Sequence, residues 1–401
     1  METTRDEPAP PGQAPFVVDP YPTLARIRAN GPVSILHSDE GLPMWVVARY
    51  HDVRAVLADP RFGQDVRRAQ ELADDRVEGT MLGSDMVHML NSDPPDHTRL
   101  RRLIHGFFTA RRVAAMRPMV ERITTMLLDG LDGRDTVDLV TDFAFPLPML
   151  IICELIGFPP EDRLAYREWS TAILTHGDDP EAFDRAMRDL TDYITGLLRQ
   201  RRSDPRDDIL TVLLAARDQG QLTDDEIVGM VFLLLIGGHE TTVNLLGTAT
   251  LALIRHPDQY RWLRENPAAL PVAVDEFLRY ESPVSMATLR FTTAPVDVDG
   301  VEIPAGELVL VSLGGANRDP DRFPDADRLV LDRADPGHLA FGHGLHRCLG
   351  AFLGKLEGEV ALGHLLARHP ALTLAGGEDT LRWRNTIMLR GLESLPVARH
   401  G

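Results

Sequence analysis

One stretch restricts the fold of this chain more than any other. TDDEIVGMVFLLLIGGHETTVNLLGTATLALIRHP has helical periodicity from Thr223 to about Arg255. As a single helix it would be roughly 45–50 Å long at about 1.5 Å per residue. The chain has the material to house such a rod: 401 residues, 44% hydrophobic and 25% charged, a length above the usual single domain yet compatible with one continuous fold. The strongest apolar run, MVFLLLIGG, is far shorter than the ~18 residues of a membrane span. The start, METTRDEPAPPGQAP, is acidic and proline-rich and lacks the basic opening and apolar core of a signal peptide. A soluble protein with no membrane partner is expected.

Helical spacing also marks YPTLARIRAN, DPEAFDRAMRDLTDYITGLLRQRRSD and LPVAVDEFLRYES. Strand patterns are fewer. PVSILH and MWVVARY flank a turn containing Gly41, VDVDGVEI reads as a hairpin turning at Asp299-Gly300, and LRWRNTIMLRGLESLPV reads as a last β segment. No internal repeat or low-complexity linker interrupts the chain after its N-terminus. The expected architecture is mainly α with small β-sheets at one side: a single domain over residues 21–401 behind a tail of residues 1–20.

A formal charge of −18 argues against nucleic acid or an anionic membrane as the main partner. Residues 97–117, HTRLRRLIHGFFTARRVAAMR, run against it with Arg99, Arg101, Arg102, Arg111 and Arg112. A solvated helix face is one reading of that cluster. The two cysteines cannot make a disulfide framework, which suits a reducing cytoplasm.

Those cysteines differ in setting. Cys153, in PLPMLIICELIGFPP, is embedded in aliphatics and reads as a packed core thiol. Cys348, in HLAFGHGLHRCLGAFLG, stands before a helix-like run and among Gly342, Gly344 and Gly350. A helix N-terminus stabilises a thiolate, and glycines let backbone turn tightly and approach a flat ligand. A core cysteine needs neither the glycines nor Arg347 and His346. A nucleophile needs a base, and His346, two residues away, is badly placed. An axial haem ligand accounts for every neighbour, with Phe341 shielding the sulfur.

FGHGLHRCLG, with its F-x-x-G-x-x-x-C-x-G spacing, resembles the haem-binding loop of the cytochrome P450 family, the haem-thiolate monooxygenases, in their soluble bacterial, actinobacterial-type branch. The resemblance runs from MWVVARYHDVRAVLADPRF to RGLESLPV. It implies a triangular, prism-like helical domain with haem b between the long central helix and the helix of the cysteine loop. Cys348 is then the proximal thiolate and the metal ligand, pushing electron density onto iron and favouring O–O cleavage. Phe341, Gly342 and Gly350 belong to its loop.

Other motifs agree. GGHETT, residues 237–242, places two glycines inside a helix, where each costs about 1 kcal/mol; packing through small residues is the alternative reading. It matches the family's distal motif, which implies that Gly237 and Gly238 leave room for O2, the co-substrate, and loosen the helix. Thr241 would hydrogen-bond the bound oxygen, and Glu240 with His239 would relay protons. Glu276 and Arg279 in EFLR would read alone as surface decoration; the family closes such a pair with a later arginine, here Arg328 in FPDADRL, where Leu329 replaces the usual Phe. His97 and Arg101, four apart in HTRLR, together with Arg290 and His346, match the family's partners for the haem propionates.

The resemblance further implies NAD(P)H electrons delivered by a reductase and ferredoxin, docked on the arginines of residues 99–112 with Arg347, and a cytoplasmic monomer. Family topology places Met81, Met86, Met89, Leu90, Leu233, Ile236, Val284, Met286, Ile387 and Met388 around the substrate. That lining is aliphatic and thioether-rich, suited to a bulky apolar or macrocyclic molecule, although such residues also simply pack cores. The expected reaction is hydroxylation or epoxidation in macrolide- or polyketide-like secondary metabolism, including antibiotic biosynthesis. Coupling or desaturation by the same haem, and a non-enzymatic haem sensor, are the alternatives.

Overall fold

The computed structural model describes residues 15–37, 43–65, 67–68, 86–159, 162–174, 179–335 and 337–400. Helix α1 (Tyr21–Asn30) leads into the antiparallel pair β1 (Ser34–His37) and β2 (Pro43–Val47). Helix α2 (Tyr50–Ala58) and β3 (Phe62–Gly63) follow. The helical body then runs through α3 (Asp96–Ile104), α4 (Arg117–Asp129), β4 (Thr136–Asp138), α5 (Pro146–Ile156), α6 (Arg163–Leu174) and α7 (Pro180–Ser203). It reaches its centre in α8 (Asp224–Arg255) and continues with α9 (Leu270–Tyr280). Short strands β5 (Arg290–Thr292), β6 (Val296–Val298), β7 (Val301–Ile303) and β8 (Leu308–Val311) come next, before α10 (Ala351–Arg368), β9 (Ala371–Leu374) and β10 (Pro396–His400).

The long helix begins where its chemistry dictates. Thr223 Oγ1 accepts from Glu226 N at 3.1 Å while the Glu226 carboxylate accepts from Thr223 N at 2.9 Å, a reciprocal cap. Pro257 follows His256 and starts the next helix, which disfavours further α conformation at the residue before it. Every residue from Ile227 to Ile236 and from Thr242 to Leu253 is buried. Mean hydropathy reaches 1.4 over 18 residues, enough by composition to cross a membrane, with 72% of that window inside the protein. The short apolar run noted in the sequence thus understates the helix, and its apolar surface is met by the surrounding core.

The five-stranded sheet has the order β1-β2-β8-β5-β3, with β2 parallel to β8 and Arg290 opposite Val309. A second sheet orders β4-β10-β9, and β6-β7 is a hairpin whose turn puts Asp299 at φ +48° and Gly300 at φ +85°, as the D-G pair requires. Two expectations change. The segment expected as a last strand instead makes isolated bridges, Trp383↔Leu392 and Val284↔Leu389, before β10. The packed part also begins earlier than Tyr21: Pro15–Val18 form a helical turn, Val17 is buried, and Arg390 donates to the Val17 and Val18 carbonyls.

Candidate active site

Cys348 stands three residues before α10. Gly342 and Gly344 take φ +67° and +72°, a region open to glycine at little cost, and a Cβ on Gly344 would lie 2.6 Å from the Leu57 carbonyl. Gly350 has an ordinary φ of −80°, so its part is its amide, which faces the sulfur. Cys348 N donates to Phe341 O at 2.8 Å, closing the loop. The cysteine has accessible surface, yet enclosure by protein pushes its thiol up, against the Gly350 amide, Arg101 and Arg347, which pull it down. The residue is thus open to the surface while protein surrounds its thiol. Cys153 is fully buried in the main core, as expected.

A cluster of basic side chains forms beside this loop. The rings of His97 and His346 lie 4.3 Å apart. Burial pushes His346 far down, and His97, Arg290 and Arg101 press in the same direction. Burial also lowers Arg290 to about 10 and holds Arg101 and His97 below their usual ranges. Both His97 ring nitrogens and Arg290 Nε are buried without a hydrogen-bond partner among the described residues. Buried basic groups that lack an acceptor fit a ligand bearing carboxylates. Together with the loop thiol, this set fits haem with its two propionates. Arg290 Nη1 reaches only the Phe62 carbonyl, at 3.2 Å, and Arg101 donates to Arg347 O at 2.7 Å, tying α3 to the loop.

On α8 the motif opens a gap in a sealed helix. Gly237 is exposed and Thr241 half-buried between two fully buried stretches. A Cβ on Gly237 would touch only Leu233, at 3.8 Å, whereas one on Gly238 would press to 3.0 Å on Ile152 of α5. The expectation for the two glycines therefore divides: Gly237 leaves space, and Gly238 serves close helix packing. The helix is continuous there, not loosened, and Thr241 Oγ1 donates to Gly237 O at 3.2 Å. Thr242 Oγ1 would lie 3.8 Å from a Cβ on Gly354 of α10, so the helix following Cys348 adjoins this turn of α8.

His239 and Glu240 differ from expectation. His239 is fully buried, its Nδ1 2.7 Å from Leu235 O and 3.1 Å from Tyr166 Oη, with Phe145 edge-on. Burial lowers its pKa, and the ring has no exposed surface. Glu240 is buried with Arg384 Nε 2.9 Å from Oε1 and His239 Nε2 3.8 Å from Oε2. The contact with Arg384 is out of line for a hydrogen bond.

The pair Glu276–Arg279 is wholly buried, and its third member is corrected. Arg279 donates from Nε and Nη2 to the two oxygens of Glu276 at 2.7 and 2.8 Å. The side chain closing the group is Arg333, whose Nε lies 3.0 Å from Glu276 Oε2. Arg328 contributes its carbonyl to Arg279 at 2.9 Å, while its guanidinium is 74% exposed beside Asp325. Five residues of extra chain let Arg333 fold back under the loop. Next door, Asp275 accepts from Lys355 Nζ at 2.6 Å and from His338 Nε2 at 3.2 Å, and His338 Nδ1 accepts from Ala340 N. This bolts α9 to both ends of the cysteine loop.

Of the expected lining, Met86, Met89, Leu90, Leu233 and Ile236 belong to the main core around α8. Ser285 N donates to Met388 O at 2.7 Å, Val284 bridges Leu389, and Ile387 is 38% exposed at the tip of its loop. Met286 is a correction: it packs with Leu24, Ile27, Val46 and Leu310 under α1, inside a separate cluster. Met81 lies outside the described residues. A groove of about 620 Å³ between α4 and α10, lined by Glu121, Thr125, Met126 and His364, holds none of these groups.

The basic segment is also partly tied up. Arg99 bonds Glu226 and Asp96, and Arg112 bonds both oxygens of Asp207. Arg102, Arg111 and Arg347 are exposed, as are Leu345 and Phe352 near the loop. Sequence reasoning missed Arg333, Arg384 and Glu357. Arg333 stood in the sequence as a basic residue just after the arginine chosen. Arg384 lies 144 positions from Glu240, and no local pattern joins them.

The cytochrome P450 family model matches residues 170–388. Cytochrome P450 107B1 of Saccharopolyspora erythraea is 47% identical over 388 residues, covering 95% of each chain. The 6-deoxyerythronolide B hydroxylase of the same organism is 41% identical, over 96% of this chain and 97% of its own. Among solved structures, the tirandamycin C-bound P450 monooxygenase TamI superposes with a TM-score of 0.89 at 44% identity, over 96% of this chain and 98% of that one. With its exposed loop cysteine, its buried basic side chains short of acceptors and the break in burial along its central helix, this chain belongs to the cytochrome P450 family and is a haem-thiolate monooxygenase that uses O2.

Proposed function

We propose that the chain oxygenates a bulky apolar small molecule in secondary-metabolite tailoring, with Cys348 as the thiolate ligand of haem b. When bound, haem supplies the iron at which O2, two electrons and two protons yield one oxygen atom in a substrate C–H or C=C bond and one water. His97, Arg101, Arg290 and His346 hold the propionates, matching charge that burial otherwise disfavours. Phe341 and Gly342 shape the loop, and the Gly350 amide donates toward the sulfur. Gly238 seats α8 on α5, and Gly237 leaves the space into which Thr241 presents its hydroxyl. With its own hydrogen donated to Gly237 O, the Thr241 oxygen is free to accept a hydrogen bond on the oxygen side, and Glu240 feeds it protons.

The observation that carries this reading is the break in burial at Gly237 and Thr241, between ten buried residues before it and twelve after. Met86, Met89, Leu90, Leu233, Ile236, Val284, Ile387 and Met388 supply apolar, adaptable walls. The compounds named for its relatives, 6-deoxyerythronolide B and tirandamycin C, support a natural-product substrate. We place the enzyme in the cytoplasm as a monomeric single domain. It takes electrons from NAD(P)H through a reductase and ferredoxin, the ferredoxin docking on Arg102, Arg111 and Arg347 beside Leu345 and Phe352. Thr241→Ala tests the relay: NAD(P)H consumption should continue while product falls and peroxide appears. Full coupling in that variant contradicts the role of Thr241.

A further inference from the structure

Six tyrosines and four tryptophans are all this chain holds, and three of them stand in one row of rings leading away from the central helix. Tyr166, on α6, is fully buried. Its Oη donates to Leu235 O at 3.0 Å and lies 3.1 Å from His239 Nδ1, and Leu235 and His239 bracket Gly237 on α8. Buried Phe158 stands edge-on to Tyr166 and to Tyr193 of α7, with ring centroids 6.1 and 5.2 Å away. Trp169 is three residues beyond Tyr166, on the same face of α6, and lies 5.2 Å from the Tyr193 ring. Tyr193 and Trp169 are half-buried, so the row runs from α8 to the surface.

The two phenols are set up differently. The Tyr166 hydroxyl has a carbonyl as acceptor, and burial, with Cys153 and Glu240 adding to it, pushes its pKa well up. It therefore keeps its proton, while negative charge nearby eases the loss of an electron. Tyr193 Oη instead donates to Asp162 Oδ2 at 2.6 Å, a charge-assisted bond to a base that can take its proton. Rings elsewhere are held against cations. Arg318 lies 4.0 and 3.9 Å from the Tyr21 and Tyr280 rings, and Arg390 lies 3.3 Å from Trp383. A cation over a ring makes an electron harder to remove.

We infer that Tyr166, Tyr193 and Trp169 form an electron path that drains oxidising equivalents from the haem site when no substrate takes the oxygen atom. Haem oxidised by two electrons is returned in two one-electron steps. Tyr193 loses one electron and passes its phenol proton to Asp162, leaving a neutral tyrosyl radical. Trp169 loses the second electron, and its indole proton goes to water. Tyr166 relays both electrons inward, with Phe158 filling the gap between the rings. The unused oxygen atom leaves as water with two protons from solvent. A one-electron reductant at the surface, of the ascorbate class, restores both rings. The groups spared are the thioethers of Met86 and Met89 and the sulfur of Cys348, which such equivalents otherwise oxidise. The inference needs haem at Cys348 and is independent of the relay through Thr241.

The test mixes the haem-loaded, substrate-free protein with peracetic acid, which oxidises haem by two electrons, and freezes it for electron paramagnetic resonance. A tyrosyl signal should appear, lose its hyperfine splitting in protein made with ring-deuterated tyrosine, and be quenched by ascorbate. It should vanish in Tyr193→Phe, which keeps the ring packing, and fall in Asp162→Asn, which removes the base. Tyr21→Phe, outside the row, should leave it intact. Tyr193→Phe should also keep the wild-type carbon monoxide spectrum, which separates a lost radical from a lost haem site. During NAD(P)H-driven turnover without substrate, a variant carrying Tyr193→Phe and Trp169→Phe should lose its haem absorption several-fold faster than the wild type. No tyrosyl signal in the wild type, or one undiminished in Tyr193→Phe, overturns the path. Equal haem survival in the double variant and the wild type overturns its protective role.

Discussion

Two of the acid–arginine pairs buried in this protein are built to opposite standards. Around Glu276 every acceptor is taken. Oε1 receives Arg279 Nη2 and Val330 N, and Oε2 receives Arg279 Nε and Arg333 Nε. The other Arg279 donors reach Asn317 O, Ala326 O and Arg328 O. Around Glu240, Arg384 touches one oxygen out of line and His239 stands 3.8 Å from the other, leaving both oxygens without a hydrogen bond among the described residues. A saturated buried pair resists rearrangement because any movement leaves a charge uncompensated. An under-bonded pair has little to lose by moving. The first is architecture that holds the cysteine loop against α9, and the second leaves its acid loosely held. Glu357, on α10, marks a third standard. It is buried without an arginine, and desolvation pushes it up to about 8 despite the nearby Thr242.

Substitutions sharpen this contrast. The largest loss is expected in Glu276→Ala, which strands Arg279 in the core: about 3–5 kcal/mol in chemical unfolding, with haem loading lost alongside. Glu240→Gln should instead fold with wild-type stability and bind haem, while product formation falls on the order of 10²-fold and becomes sensitive to D2O. Equal stability losses in the two variants would erase the distinction.

Glu357 makes a pH-dependent prediction. Its folded-state value of about 8 lies above the ordinary 4.5, so the native protein favours the protonated acid. Stability conferred by that form is complete below about 4.5 and declines as pH rises toward 8. Glu357→Gln should remove that decline and be the more stable protein by roughly 1–3 kcal/mol at the upper end. Parallel stability–pH curves for variant and wild type would contradict it. The smallest effects separate two arginines. Arg333→Leu should cost about 1–3 kcal/mol by removing one of the donors to Glu276 Oε2, and Arg328→Leu, at an exposed site, less than about 0.5 kcal/mol.

Much of this was legible in the sequence because it was local. The F-x-x-G-x-x-x-C-x-G spacing, the D-G hairpin and the 33-residue helical pattern each carry their reason within a short span. The meeting of His97, Arg101, Arg290 and His346 followed only from family resemblance, since α3, β5 and the cysteine loop are distant in sequence. Arg328 was expected where Arg333 stands because a motif gives a neighbourhood but not the direction in which an irregular segment folds back. Gly238 and Met286 failed for a related reason. Composition cannot tell a glycine that makes space from one that lets helices touch, or a cleft-lining methionine from one packed beneath α1.

The central claim is that Cys348 presents a thiolate to haem iron. The most direct measurement is the absorption spectrum of the purified ferrous protein under carbon monoxide, recorded beside that of Cys348→His. The account predicts the strongly red-shifted Soret band of a thiolate-ligated carbonyl complex in the wild type, replaced in the variant by the band of imidazole-ligated haem. A wild-type spectrum of the imidazole type, or a red-shifted band that survives in Cys348→His, would contradict it.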